Sequence, residues 1–200
     1  MNINIEEMFL KYDLTLQTLL DELNKLLREY ESKNGINPVE HIKSRIKTKE
    51  SALDKLVRKG YKRDYENMVL HVHDMVGVRI VCSFKSDVYD IVNIIKTSKI
   101  LKIKKEQDFI ANPKETGYSS YHLNVMVPIN IKDNIEYIEA EIQIRTVAMD
   151  FWATLEHKIR YKFDGTIPEE VSNELLNCSK EVKELDNKMY FLNEIMNKYK

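Results

Sequence analysis

Residues 137–146 read YIEAEIQIRT, and as a strand they alternate without a break. Ile138, Ala140, Ile142 and Ile144 fall on one side, and Glu139, Glu141, Gln143 and Arg145 on the other, because successive side chains of a strand point to opposite faces. The apolar side asks for a core. The other side carries two carboxylates, an amide and a guanidinium, a set that the solvated face of an edge strand also accommodates. The next residues, TVAMDFWATLEHKIRYK, are spaced as a helix with Phe151, Trp152, Leu155 and Ile159 on its predicted buried side. A strand that runs straight into an apolar helix is expected inside a sheet. Its polar face then needs a use.

Working outward, MVGVRIVCSF (75–84) reads as a buried strand and SDVYDIVNIIKTS as the helix after it. YHLNVMVPI is a further strand, joined to 137–146 by a turn around Asp133-Asn134. HIKSRIKT alternates like a strand, and KESALDKLVRKG reads as a helix capped by Thr48 and closed by Gly60. Residues 5–31 carry Ile5, Met8, Phe9, Tyr12, Leu16, Leu19, Leu20, Leu23, Leu26, Leu27 and Tyr30 at helical spacing, ended by Gly35 and Pro38. After Gly165 and Pro168, residues 169–199 form a last helix with Val171, Leu175, Cys178, Val182, Leu185, Met189, Leu192 and Ile195 as its stripe. The expected fold is α+β: a mixed sheet of about five strands, flanked by helices, with a long helix at each terminus. Residues 1–200 make one domain, with a core over about 36–165 and terminal helices over 1–34 and 168–200. Those terminal stripes either cover the sheet or pair between subunits.

Composition narrows the classes. With 43% hydrophobic and 32% charged residues the chain is a soluble globular type, and no run of about 18 apolar residues suggests a membrane span. MNINIEEMFLKYD is acidic and helical in pattern, unlike a secretory leader. Cys82 and Cys178 form no paired motif, so a cytoplasmic location is expected. A net charge of −1 argues against a nucleic-acid-coating surface while leaving room for local basic clusters.

Three stretches hold the remaining polar chemistry. In HVHDMVGVRIV, Asp74 stands just before a strand that carries Arg79. A carboxylate there, opposite a second on a neighbouring strand, is a minimal cradle for a hard cation such as Mg²⁺, which takes one or two carboxylates plus substrate phosphates and water. His71 and His73 beside it also invite a zinc or metal-phosphohydrolase reading, although His122 and His157 lack the context it needs. In RIKTKESALDK, Arg45 and Lys47 share a strand face and Ser51 and Lys55 a helix face; donors converging at a strand–helix junction suit a polyphosphate, as does any solvated basic face. In NPKETGYSSYH, Gly117 supplies a turn, Tyr118 an aromatic plane, and Lys114 and His122 flank it. That combination suits a base stacked on the ring with its phosphates gripped.

Together, SRIKTKESALDKL, HDMVGVRIVCSF, FIANPKETGYSSYHL and EIQIRTVAMDFWATLEHKIRYK resemble, in order, the synthetase domain of the RelA/SpoT family, over roughly residues 40–162. They are most similar to its stand-alone small alarmone synthetases. The resemblance implies a nucleotidyltransferase-like fold and a reaction: transfer of the β,γ-pyrophosphate of ATP to the 3′-hydroxyl of GDP or GTP, releasing AMP. It assigns Asp74 as the Mg²⁺ ligand and Glu141 as the essential carboxylate, acting as base or as a second ligand. Arg45, Lys47, Ser51, Lys55 and Arg79 match the ATP side. Tyr118 matches the residue stacked on guanine, Lys114 and His122 the acceptor-phosphate contacts, Gln143 and Arg145 the same wall, and Ala153 a backbone contact to guanine. Glu139 matches no family position and reads as a solvated neighbour. Thr116 stands where many relatives carry Asn, and Ser119 at a position that is often basic, which bears on the choice between GDP and GTP. The resemblance further implies homotetramers through the terminal helices and, in some members, an allosteric response to (p)ppGpp or RNA, for which the sequence places no residues. Two other classes fit the same residues: a pyrophosphokinase acting on an adenosine nucleotide or tRNA, and a binding module that has lost the chemistry.

Overall fold

A computed structural model describes residues 4–132, 134–162 and 167–199. In chain order the elements are α1 (Ile5–Asn34), β1 (Val39–Ile46), α2 (Lys49–Arg58), α3 (Tyr65–His71), β2 (Val76–Cys82), α4 (Lys85–Lys96), β3 (Lys102–Asp108), β4 (Tyr121–Ile131), β5 (Asn134–Thr146), α5 (Val147–Tyr161) and α6 (Glu169–Asn197). The expected α+β class and mixed sheet are present. Asp133 of the expected turn and Gly165 of the expected break lie outside the described residues.

The strands form one sheet in the order β1-β2-β5-β4-β3. Only β2 and β5 run parallel; β1–β2, β4–β5 and β3–β4 are antiparallel. The stretch YIEAEIQIRT is therefore the centre of the sheet. Its apolar side is fully used: Ala140, Ile142 and Ile144 are buried with Val76, Val78 and Ile80 of β2, Leu123 and Val125 of β4, Leu19 and Leu23 of α1, and Ile91 and Ile95 of α4. Local signals end the elements where the chain chemistry requires. Thr48 caps α2 by accepting the Ser51 backbone N–H at 3.3 Å. Gly35 closes α1 with φ +71° and donates to the Glu31 carbonyl at 2.8 Å, a left-handed position that glycine takes without the Cβ penalty.

Two elements were invisible to hydrophobic spacing. β3, KIKKEQD, is an exposed edge strand with one apolar side chain, and lysines are what keep such an edge from pairing with another chain. α3 has only seven residues, too few to display a helical period.

The expected burial of α5 is half wrong. Phe151 is 60% and Leu155 41% exposed, as is Val147 at 51%, whereas Met149, Trp152 and Ala153 are buried. Successive helical residues are rotated by about 100°, so Phe151 and Trp152 belong to two adjacent ridges, and only one faces the sheet and α6. The stripe of α6 divides in the same way. Val171, Leu175, Cys178 and Val182 pack with Trp152 and Ala153, while Leu185, Met189 and Leu192 are exposed.

Candidate active site

Strand register brings the polar residues together. Directly paired residues share a face, so two rows cross the sheet. One runs Lys43, Arg79, Gln143, His122; the other runs Arg45, Gly77, Glu141, Asn124. Gly77 has no side chain, and the gap it leaves between Arg45 and Glu141 is the floor of a cleft of about 190 Å³, lined by Lys43, Ser44, Arg45, Asp74, Arg79, Glu141 and Gln143 among others. Cations on a protein of net charge −1 are concentrated here.

Asp74 enters the cleft from the turn between α3 and β2. Its Oδ2 lies 3.1 Å from Lys47 Nζ and its Oδ1 2.8 Å from Lys55 Nζ. The second contact is a charge pair without hydrogen-bond alignment, which leaves Oδ1 buried and lacking an aligned donor. Burial would raise the Asp74 pKa, but the ammonium groups of Lys55 and Lys47 outweigh it and hold the carboxyl below its ordinary 3.8. Asp74 stays ionised, and two ionised carboxylates lining one cleft are a fit donor set for a hard divalent cation.

Glu141 belongs to a network of four hydrogen bonds and one further close contact. Gln143 Nε2 donates to Glu141 Oε2 at 2.6 Å, Arg145 Nη2 donates to Gln143 Oε1 at 2.9 Å and to the Tyr118 hydroxyl at 2.6 Å. The Tyr118 hydroxyl meets His122 Nε2 at 2.8 Å, and His122 Nδ1 lies 3.3 Å from Glu141 Oε1. With a neutral imidazole protonated at Nδ1, the Tyr118 hydroxyl donates to Nε2. Burial raises the Glu141 pKa and the neighbouring Asp74 adds to that; contacts from His122 and Gln143 prevail and keep it below the ordinary 4.5.

The other expected residues fall into two groups. Arg45, Lys47, Lys55, Arg79 and Gln143 line the cleft or pair with its carboxylates. Tyr118 and His122 border it through Glu141, with Lys114 Nζ 5.1 Å and Arg145 Cζ 5.0 Å from the Tyr118 ring centroid. Ala153 is buried in a small cluster with Trp152 and Leu175, against which Tyr118 packs. Ser51 is exposed and engaged with Thr48 rather than lining the cleft. Arg145 is 4% exposed and directs its donors into the protein, so it holds Tyr118 rather than facing solvent. Ser119 donates to the Phe109 carbonyl at 3.1 Å. Gly117 has φ +88°, and a Cβ there would lie 2.2 Å from Ser179 Oγ, so the Tyr118 loop rests directly on α6.

Four residues escaped the sequence reading. Lys43 and Ser44 line the cleft, and Lys43 was findable from its shared face with Arg45. Glu139 is no solvated neighbour: it accepts from Lys104 Nζ at 2.6 Å and Asn124 Nδ2 at 3.1 Å and contacts His73 Nδ1 at 3.0 Å. His73 is thereby engaged, and His71 stacks on Tyr61 at 3.9 Å; among the described residues no group of three or more His, Cys, Asp or Glu side chains forms a metal cluster. Asp150 in the first turn of α5 had no signal beyond its helix position. It contacts both Arg79, at 3.1 Å, and Arg145, at 3.2 Å.

Comparison with known proteins places these residues in a family. The pattern described as "Region found in RelA / SpoT proteins" matches residues 44–166. GTP pyrophosphokinase YwaC of Bacillus subtilis is 46% identical over 180 residues, spanning 90% of this chain and 86% of that protein. The crystal structure of small alarmone synthetase 2 from Bacillus subtilis superposes with a TM-score of 0.85 at 43% identity, covering 96% of this chain and 99% of the other. That of small alarmone synthetase 1 from the same organism, bound to its product pppGpp, gives 0.85 at 33% identity, with 94% and 96% covered.

Proposed function

The chain belongs to the RelA/SpoT family, and from that premise we propose that it is a (p)ppGpp synthetase, a GTP pyrophosphokinase that moves the β,γ-pyrophosphate of ATP to the 3′-oxygen of GDP or GTP. The observation that carries the reading is the pair of ionised carboxylates, Asp74 and Glu141, in one cation-lined cleft with Tyr118 hydrogen-bonded into the same network. Two acids beside phosphates repel the ligand unless a cation bridges them, which counts against a module that binds nucleotide without a metal.

The division of labour follows from the partners. Asp74 is tied to Lys47 and Lys55 on the donor side, and Glu141 to His122 and Tyr118 on the acceptor side. Asp74 and Glu141 would hold Mg²⁺, which when bound draws charge off the polyphosphate. Arg45, Lys47, Lys55 and Arg79 neutralise the triphosphate and the departing AMP. Tyr118 stacks on the guanine, Ala153 lies behind it, and Lys114 and His122 reach the acceptor phosphates. Gln143 and Arg145 keep Glu141 and Tyr118 in register. The 3′-hydroxyl attacks the β-phosphorus, the bond to the α–β bridging oxygen breaks, AMP leaves with that oxygen, and Glu141 receives the hydroxyl proton. Positioning and charge stabilisation supply most of the rate in such transfers.

A homotetramer in the cytoplasm completes the reading. Its support is the uncovered ridges Val147, Phe151 and Leu155 on α5 and Leu185, Met189 and Leu192 on α6, apolar rows of the kind that mark subunit contacts. No helix among the described residues is long and apolar enough to cross a membrane.

Incubation with ATP, Mg²⁺ and GMP, GDP or GTP tests the proposal. AMP and a 3′-pyrophosphorylated guanosine nucleotide are expected; no such product at saturating substrate overturns it. Tyr118→Ala should weaken acceptor binding by about 5- to 150-fold, the equivalent of roughly 1–3 kcal/mol for one stacked base, while leaving ATP affinity near wild type. Equal losses for both substrates in a binding titration would move the stacking role elsewhere.

A further inference from the structure

Asp150 stands between the two halves of the site. Its side chain is buried in the first turn of α5, and its Oδ1 lies 3.1 Å from Arg79 Nη1 and 3.2 Å from Arg145 Nη1. The two guanidinium groups belong to different substrates in the reading above, on which this inference rests. Arg79 lines the cleft, and its Nε is buried with no hydrogen-bond partner, so it is the incompletely satisfied member of the pair. Arg145 is buried and grips the Tyr118 hydroxyl at 2.6 Å. The two cations repel one another, and a single carboxylate oxygen offsets both.

We propose that Asp150 is a positioning residue that couples occupancy of the donor site to the set of the acceptor plate. When a triphosphate meets Arg79, its negative charge takes over from Asp150 as that guanidinium's counter-ion, and the Asp150 oxygen is more fully available to Arg145. A firmer Arg145 holds the Tyr118 hydroxyl, and the ring is presented in one orientation before the purine arrives. Preorganisation of this kind raises affinity without a new ligand contact, and by linkage the acceptor strengthens ATP binding by the same factor. Asp150 touches neither substrate in this account. It acts through two arginines.

The test is GDP affinity with and without α,β-methylene ATP, whose bridging carbon blocks pyrophosphate transfer. In the wild type the analogue is expected to tighten GDP binding about fivefold or more, the lower end of ordinary coupling between sites. Asp150→Asn, which removes the charge and keeps the shape, should leave GDP affinity the same with and without the analogue, and Asp150→Glu should restore a difference. Tyr118→Phe keeps the ring, loses the hydroxyl that Arg145 grips, and should abolish the coupling independently of any effect at position 150. Coupling that persists in Asp150→Asn or in Tyr118→Phe overturns the inference. So does a wild type that makes product but shows no coupling, while the synthetase reading then stands. A wild type that makes no product removes that reading and the inference together.

Discussion

Glu141→Gln is expected to cut kcat by about 10²- to 10⁴-fold, the range for losing a positioned general base, with the fold retained. The amide matches the carboxylate in shape, but its NH₂ cannot accept from Gln143 or His122, so one of the two contacts at 2.6 and 3.3 Å is lost along with the charge. Release of AMP from ATP in the presence of GDP measures the rate, and circular dichroism with a thermal melt verifies the fold. Near-normal turnover would take the proton-accepting role away from Glu141. Acidity offers a second view of the same group. The Glu141 carboxyl is held below its ordinary 4.5, so the acid limb of kcat/KM, which reports the free enzyme, is expected below that value. A limb near neutral would identify another base.

Asp74→Asn is expected to be comparably severe for a different reason. It removes the negative charge between Lys47 and Lys55 and half of the oxygen donor set proposed for Mg²⁺. A Lewis-acid contribution of several kcal/mol corresponds to a loss on the order of 10²- to 10³-fold at tenfold per 1.4 kcal/mol. The distinguishing readout is the Mg²⁺ concentration for half-maximal rate, which should rise in Asp74→Asn. An unchanged metal requirement would show that Asp74 serves only as a counterion to the lysines.

Both carboxylates also bear on stability. Their folded pKa values are depressed, so their ionised forms stabilise the fold above the ordinary carboxylate range, and that contribution is lost as pH falls through the folded values. Asp186 has the opposite sign. Burial raises its pKa, against the hydrogen bond from Thr146 and the charge of Lys85, so it favours the fold most when protonated.

Period-2 alternation in YIEAEIQIRT established a strand with one apolar and one charged face, and the hydrophobic spacing elsewhere located both terminal helices, α4 and three of the other strands. Residue types at fixed offsets pointed to Asp74, Arg79, Tyr118 and Glu141. These signals are local: side-chain direction in a strand or helix is set by backbone geometry that each residue shares with its neighbours. Burial was legible only where a segment has a single apolar ridge. α5 has two, and nothing within the helix says that Trp152 is covered while Phe151 is not. β3 left no trace because an edge strand need bury nothing on its outer side.

What the chain's own order could not disclose is which polar groups complete one another. Glu139 meets a histidine 66 residues away and Asp150 meets Arg79 across the β2–α5 junction, contacts set by sheet register and helix docking. Arg145 is a surface-type residue by composition, yet it is buried because Asp150, Gln143, Ser120 and Tyr118 together satisfy its donors. A charged group leaves water only where such partners converge, and convergence is a property of the folded arrangement. The residue types of the candidate site were therefore written in the sequence; their orientation and mutual dependence arise in the tertiary structure.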